Sequence, residues 1–244
     1  MRRDKPLKDR RIRKVRKALT ARFPGLRERL IEGTARHLSA AIRRRMDRVD
    51  WTVEGLDETA EAIHRGPVVI ALWHEAFLIA PFFALDLPRR VISLHDPSPA
   101  GRIGRIHARS IGLDAISTGA DGPSQRTVLR RVRDGVPAAL ALDGPSGPPR
   151  IAKPAALDWA RTAGAEVVLF AAATDRGRRL PSWDGMIWPS GARGLAAFAP
   201  GPPVGRGGHA RGADAREAAR RALEDALIRH SDDVQRRAGM APGP

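Results

Sequence analysis

From Trp51 onward, apolar runs of strand length alternate with helical patterns along this chain. Pro67–Trp73 (PVVIALW) predicts a buried strand and Arg90–Leu94 (RVISL) a second; Asp114–Ser117 gives a short third, Pro137–Leu142 (PAALAL) a fourth and Glu166–Ala173 (EVVLFAAA) a fifth. The runs are continuous rather than alternating. That is the pattern of strands covered on both faces, as in parallel sheets. Helical spacings fall between them, near 75–86, 100–112, 124–134 and 153–163. Strand–helix alternation of this kind predicts an α/β fold, a three-layer α/β/α domain with a mostly parallel central sheet and right-handed crossovers. A closing helix rich in Ala and Arg is expected over Ala210–Arg237, after a Pro/Gly-rich linker at 199–208.

Before Trp51 the texture differs. Ile12, Val15 and Leu19 share one helical face among Arg and Lys, the chain breaks at Pro24-Gly25, and Leu26, Leu30, Leu38 and Ile42 then repeat at helical spacing. These are basic N-terminal amphipathic helices. Their narrow apolar stripe suits two ends, packing on the main domain or lying on a membrane surface. The expected organisation is therefore a basic helical arm at 1–50, an α/β domain at 51–208, and a C-terminal helix and tail at 209–244.

Composition sharpens the picture. A domain of about 190 residues buries roughly 70% of its unfolded surface, so a core can form without staples. The chain contains no cysteine, which excludes a disulfide framework, thiolate zinc sites, iron–sulfur clusters and a cysteine nucleophile. The net charge of +16 is unevenly placed: residues 1–50 hold 18 Lys/Arg against 6 Asp/Glu, while the rest is nearly balanced. The arm thus predicts a polyanionic partner, an anionic membrane face or nucleic acid. Nucleic acid ranks last, because Phe23 is the arm's sole aromatic and stacking platforms are poor. The opening charges are not followed by an apolar run, so the arm is not read as a secretion signal. The stretch 67–87 is long enough to span a bilayer, but it holds His74, Glu75 and Pro81, and a strand followed by a buried helix accounts for it better.

In an open α/β sheet, ligands bind outside the carboxyl ends of the strands. His74 and Glu75 follow the first predicted strand, and His95 and Asp96 the second. Thr118-Gly-Ala-Asp-Gly-Pro-Ser124 follows the third and Asp143-Gly-Pro-Ser-Gly-Pro-Pro-Arg150 the fourth. Histidines, carboxylates and glycine-rich turns therefore share one rim. His74 is the candidate general base, since imidazole titrates near neutrality and can take a proton from a hydroxyl. The glycines of the 143–150 turn allow close backbone approach to a ligand. Arg150 and Lys153 stand at the start of the next helix, where free N–H groups favour an anion. Ser124 has the alternative role of capping the helix that begins at Gln125. The chain has no G-x-x-x-x-G-K-[ST], G-x-S-x-G, post-strand G-x-G-x-x-G or H-E-x-x-H. No metal site is expected.

The ordered series Val-Ile-Ala-Leu-Trp-His74, Ser-Leu-His-Asp96, Asp143-Gly-Pro-Ser-Gly-Pro and Leu180-Pro-Ser-Trp-Asp184 resembles the bacterial lysophospholipid acyltransferase-like superfamily, in the branch with WH, DGP-x-GP and late SWD motifs. The match covers roughly 51–204. The resemblance implies acyl transfer from a thioester, acyl-CoA or acyl carrier protein, to a hydroxyl of a lysophospholipid-like or glycolipid acceptor. It also implies a protein on the cytoplasmic side, peripherally attached to the inner face of the membrane, with no cofactor besides the thioester co-substrate. On this resemblance His74 is the catalytic histidine. Asp96, or alternatively Glu75, orients it. Gly119, Asp143, Gly144, Pro145, Ser146, Arg150 and Lys153 form the substrate-binding set. Ile79 stands where the superfamily carries an acid, and Ser146 where the DGP-x-GP turn usually carries arginine. These departures motivate an alternative, a lipid-binding member of the same fold that has lost turnover.

Overall fold

The computed structural model describes residues 24–204 and 212–243. The expected helix around Ile12–Leu19 and residues 205–208 of the expected 199–208 linker lie outside those residues. Helix α1 (Pro24–Met46) leads into β1 (Asp50–Glu54) and α2 (Leu56–Arg65), and then into β2 (Val68–Leu72). A 3-10 turn (His74–Ala76) and the single turn α3 (Ala80–Phe83) follow. Next come β3 (Ile92–His95), α4 (Pro99–Ile111), β4 (Asp114–Ser117), α5 (Gln125–Arg133), β5 (Ala138–Ala141) and α6 (Pro154–Ala163). The chain ends through β6 (Glu166–Thr174), the small hairpin β7 (Arg178–Arg179) and β8 (Ile187–Trp188), β9 (Arg193–Pro200) and α7 (Ala213–Ala238).

Seven strands form the central sheet in the order β1-β9-β6-β2-β5-β3-β4. β6, β2, β5, β3 and β4 run parallel, while β9 is antiparallel to β6 and parallel to β1. The continuous apolar run of β2 is buried along its whole length. Successive residues alternate faces. Val68, Ile70 and Leu72 pack with Ile42 of α1, Ile63 of α2 and Phe83 of α3. Val69, Ala71 and Trp73 pack with Val132 of α5, Leu157 of α6 and Leu227 of α7. This is the expected three-layer α/β/α arrangement with a mostly parallel sheet.

Several elements depart from the sequence expectation. The helix expected over 75–86 is two short turns, because Pro81 disfavours a helical residue before it and lacks the N–H that would bond back. Strands β1 and β9 and the β7–β8 hairpin were not foreseen, and the end of β9 occupies the first two positions of the expected linker. Part of the basic 1–50 segment is laid on the domain: Ile31, Ala35, Ile42 and Met46 are buried, while Leu26 and Leu30 remain exposed. Ser39 is hydrogen-bonded to the His107 ring of α4 at 3.0 Å, and Arg102 of α4 pairs with Glu28. Ser124 caps α5 by accepting from the Thr127 N–H.

Candidate active site

Parallel pairing of β2 with β5 sets Leu72 beside Ala141. Two residues further on, His74 and Asp143 therefore emerge side by side at the carboxyl edge of the sheet. The His74 ring Nδ1 lies 2.8 Å from Asp143 Oδ1, and the His74 backbone N–H donates to the same oxygen at 3.1 Å. The other oxygen, Oδ2, accepts from the Arg150 backbone N–H at 3.4 Å. The Asp143 side chain is 1% exposed and that of His74 17%. A buried carboxylate that accepts from Nδ1–H fixes the imidazole tautomer and leaves Nε2 as the basic nitrogen. Nε2 makes no hydrogen bond among the described residues. The ring stacks on Phe77, with centroids 5.6 Å apart, and meets Trp183 at 5.3 Å.

A cavity of about 490 Å³ opens beside the imidazole, within the range of small-molecule sites. Its mouth includes His74, Gly144, Pro145, Lys153 and Trp183, and its walls reach inward to Ile70, Phe170 and Phe198. Lys153 is its one lining cation among the described residues. Trp183 is 42% exposed, and its ring lies against Gly147: a side-chain carbon added there would stand 2.6 Å from it.

Asp96, expected to orient His74, does not do so. Its Oδ1 accepts from the Ser98 N–H at 2.7 Å and shapes the entry to α4. The reason is topological: Asp96 follows β3, which pairs with β5 and β4 rather than with β2. Glu75 does not reach the imidazole either. It turns inward, accepting from Arg150 Nη2 at 2.8 Å, from Arg179 Nη1 at 2.6 Å and from Gln235 Nε2 at 2.8 Å. Arg150 is thereby withdrawn from the anion-binding role expected of it. Its guanidinium also pairs with Asp232 at 2.6 Å, and its side chain is 8% exposed. Burial works against the Arg150 charge, and Glu75 and Asp232 outweigh it, holding the group above its ordinary range.

Of the remaining expected residues, Gly144, Pro145 and Lys153 line the cavity. Gly144 adopts φ +65 with the Lys153 stem over it. Ser146 is exposed and does not line it, and neither does Gly119, whose N–H donates to Ser117 Oγ at 3.2 Å within its own turn. Sequence reasoning gave Phe77 and Trp183 no role. Their signal was position, Phe77 one turn after His74 and Trp183 inside the SWD triplet.

No protein-family model matches the chain, and no curated protein is significantly similar to it. Among solved structures, the 1-acyl-sn-glycerophosphate (LPA) acyltransferase PlsC from Thermotoga maritima aligns with 84% of this chain and 82% of its own, at 14% identity and a TM-score of 0.47.

Proposed function

We propose that this protein is an acyltransferase, moving a fatty acyl group from a thioester donor, acyl-CoA or acyl carrier protein, to a hydroxyl of a lysophospholipid-like or glycolipid acceptor. The observation that carries this reading is the His74–Asp143 pair at the mouth of an apolar cavity. Nε2 takes the proton of the acceptor hydroxyl as its oxygen attacks the thioester carbonyl. The tetrahedral intermediate collapses, the C–S bond breaks, and the imidazolium returns its proton to the departing thiolate. Asp143 stabilises the imidazolium, and general acid–base help of this kind contributes about 10²–10⁴ in rate. Lys153 would meet the acceptor's anionic group. The half-exposed Trp183 supports collection of substrate from a lipid surface, where indole rings favour the interface. No helix among the described residues is long and apolar enough to cross a membrane. The basic N-terminal segment, within residues 1–50, would supply attraction to an anionic leaflet.

A second reading is favoured by one observation: with Arg150 paired internally, Lys153 alone is left among the expected cations to hold an anionic acceptor. That suits a lipid-binding protein without turnover. Incubation with a labelled acyl thioester and a panel of lysolipids and glycolipids separates the two. The enzyme reading expects transfer by the native chain and its loss in His74→Ala at unchanged melting temperature. Lipid binding without transfer across the panel would leave the binding reading standing.

A further inference from the structure

Among the described residues, Arg150 is the one residue other than glycine with a positive φ, at +57. A side chain makes that left-handed backbone unfavourable, so it persists only where the surroundings hold it. Here the guanidinium supplies the hold. Nη2 donates to Glu75 Oε1 at 2.8 Å and to Gln235 Oε1 at 3.2 Å, while Nη1 donates to Asp232 Oδ1 at 2.6 Å and to the Gly243 carbonyl at 3.4 Å. Asp232 and Gln235 belong to α7, which also grips the chain just beyond. Glu224 accepts from the Ala152 N–H at 2.7 Å, and Arg220 donates to the Ala152 carbonyl at 3.1 Å. The Arg150 side chain is 8% exposed, and the residue does not line the cavity.

The backbone held in this way faces the dyad. Asp143 Oδ1 is taken up by His74, through its ring and its backbone N–H. Oδ2 has the Arg150 N–H, at 3.4 Å, as its sole hydrogen-bond partner among the described residues. With the chain beyond Arg150 fixed on α7, a change of φ swings the peptide unit that carries this N–H. The buried carboxylate then loses its second anchor and can rotate away from Nδ1. Glu75, which the guanidinium grips, is joined by a peptide bond to His74. One arginine therefore ties down both members of the pair.

We propose that Arg150 is a positioning residue for the His74–Asp143 pair: its guanidinium, anchored on Glu75 and α7, keeps its backbone left-handed and so aims its N–H at Asp143 Oδ2. The proposal rests on reading His74 and Asp143 as the reacting pair. It gives the 143–150 turn and α7 a part in catalysis that involves no contact between Arg150 and substrate.

Arg150→Ala and Arg150→Gly test it as a pair. Both give up the guanidinium and differ by one methyl group, but glycine takes a positive φ without steric cost and alanine does not. The first readout needs no turnover: the tautomer of His74, from the imidazole nitrogen shifts of the full-length protein by NMR above the imidazole titration range. The native chain should show the Nδ1–H form alone, Arg150→Ala a mixture with the Nε2–H form, and Arg150→Gly a return toward the native signature. In acyl transfer, Arg150→Ala should lower kcat about 10²-fold with KM unchanged, as expected of a misplaced catalytic group, and Arg150→Gly should recover about tenfold of that loss. Equal mixtures in the two variants would overturn the proposal, since the left-handed backbone would then not be what aims the N–H. A native signature in Arg150→Ala would overturn it as well. Should neither variant fold, Asp232→Ala removes one anchor from a partly exposed position of α7 and should give the same mixture, and a native signature there would overturn the proposal. The Nε2–H form in the native chain would overturn the dyad and this proposal together. The expected pattern of tautomers in a chain that transfers no acyl group would refute the acyltransferase reading and uphold the positioning role.

Discussion

His74 and Asp143 are 69 residues apart in the chain, yet Nδ1 and Oδ1 are 2.8 Å apart at the edge of the sheet. The pairing follows from register, since each residue stands two positions beyond a cross-strand pair of β2 and β5. A carboxylate fixed by backbone hydrogen bonds, 1% exposed and paired with no Lys or Arg side chain among the described residues, is suited to holding an imidazole in one tautomer.

Asp143→Asn should accordingly reduce kcat by roughly 10²–10⁴ with little change in KM, because the amide can donate to Nδ1 and favour the wrong tautomer. Asp96 lines the cavity but makes no hydrogen bond to His74 among the described residues, so Asp96→Asn should lower kcat far less than Asp143→Asn. Steady-state acyl transfer with the two variants side by side decides between them. The opposite ranking would return the orienting role to Asp96.

The contrast between these two aspartates shows where sequence reasoning stops. Both follow an apolar run, and both reach the same rim. Only strand order distinguishes them, because β5 lies next to β2 and β3 does not. Strand order is set by long-range packing and leaves no mark in local periodicity. The five parallel strands were legible because burial on both faces makes them continuously apolar. Strand β9 was not, since its Gly-Leu-Ala-Ala-Phe-Ala core is poor in β-branched residues and its strand character comes from pairing with β6. Nor could the sequence show that Arg150 points inward. That depends on Glu75, Arg179 and Gln235 arriving from three other parts of the chain.

The Glu75 cluster makes a prediction about stability. Glu75 is buried with Arg150 and Arg179 at 2.8 and 2.6 Å, and removal of one partner leaves buried charge uncompensated. Such losses amount to about 3–5 kcal/mol. Glu75→Ala should therefore lower the melting temperature strongly, whereas Glu75→Gln, which keeps hydrogen-bonding capacity, should lower it less. If Arg150 instead served substrate binding, Arg150→Ala would raise KM and leave the unfolding transition in place. Calorimetry alongside kinetics separates these outcomes.

Acid sensitivity follows from His95. Its folded-state pKa is held at about 4, first by burial and then by Arg105, against 6.5 for an ordinary imidazole. Between those values the unfolded chain binds a proton that the folded chain refuses. Stability therefore rises with pH across that window and is lost as pH falls from about 6.5 toward 4. The full effect is on the order of 3 kcal/mol. Burial lowers His107 and His230 in the same direction, which adds to the slope. Urea unfolding at about pH 7 and about pH 4.5 should show a smaller loss for His95→Gln than for the native chain. An identical loss would assign the sensitivity to other groups.

The basic segment yields the last prediction, and the fold changes how it must be tested. Deleting all of residues 1–50 would strip Ile31, Ala35, Ile42 and Met46 from the core, so any loss of binding would be confounded with unfolding. Deleting residues 1–23 avoids that. This stretch holds 11 Lys/Arg against 2 Asp/Glu. Each basic residue near an anionic surface contributes about 1 kcal/mol, though only some of them can face it at once. The truncated chain should keep its melting temperature and lose affinity for anionic vesicles far more than for neutral ones. The difference should shrink with salt, because the Debye length falls from about 10 Å at 0.1 M to 3 Å at 1 M. Duplex nucleic acid would show the same salt trend, so salt alone does not discriminate. Offering vesicles and duplex together at matched charge does. Retention on the vesicles supports the membrane role, and transfer to the duplex at moderate salt would instead assign the basic segment to nucleic acid.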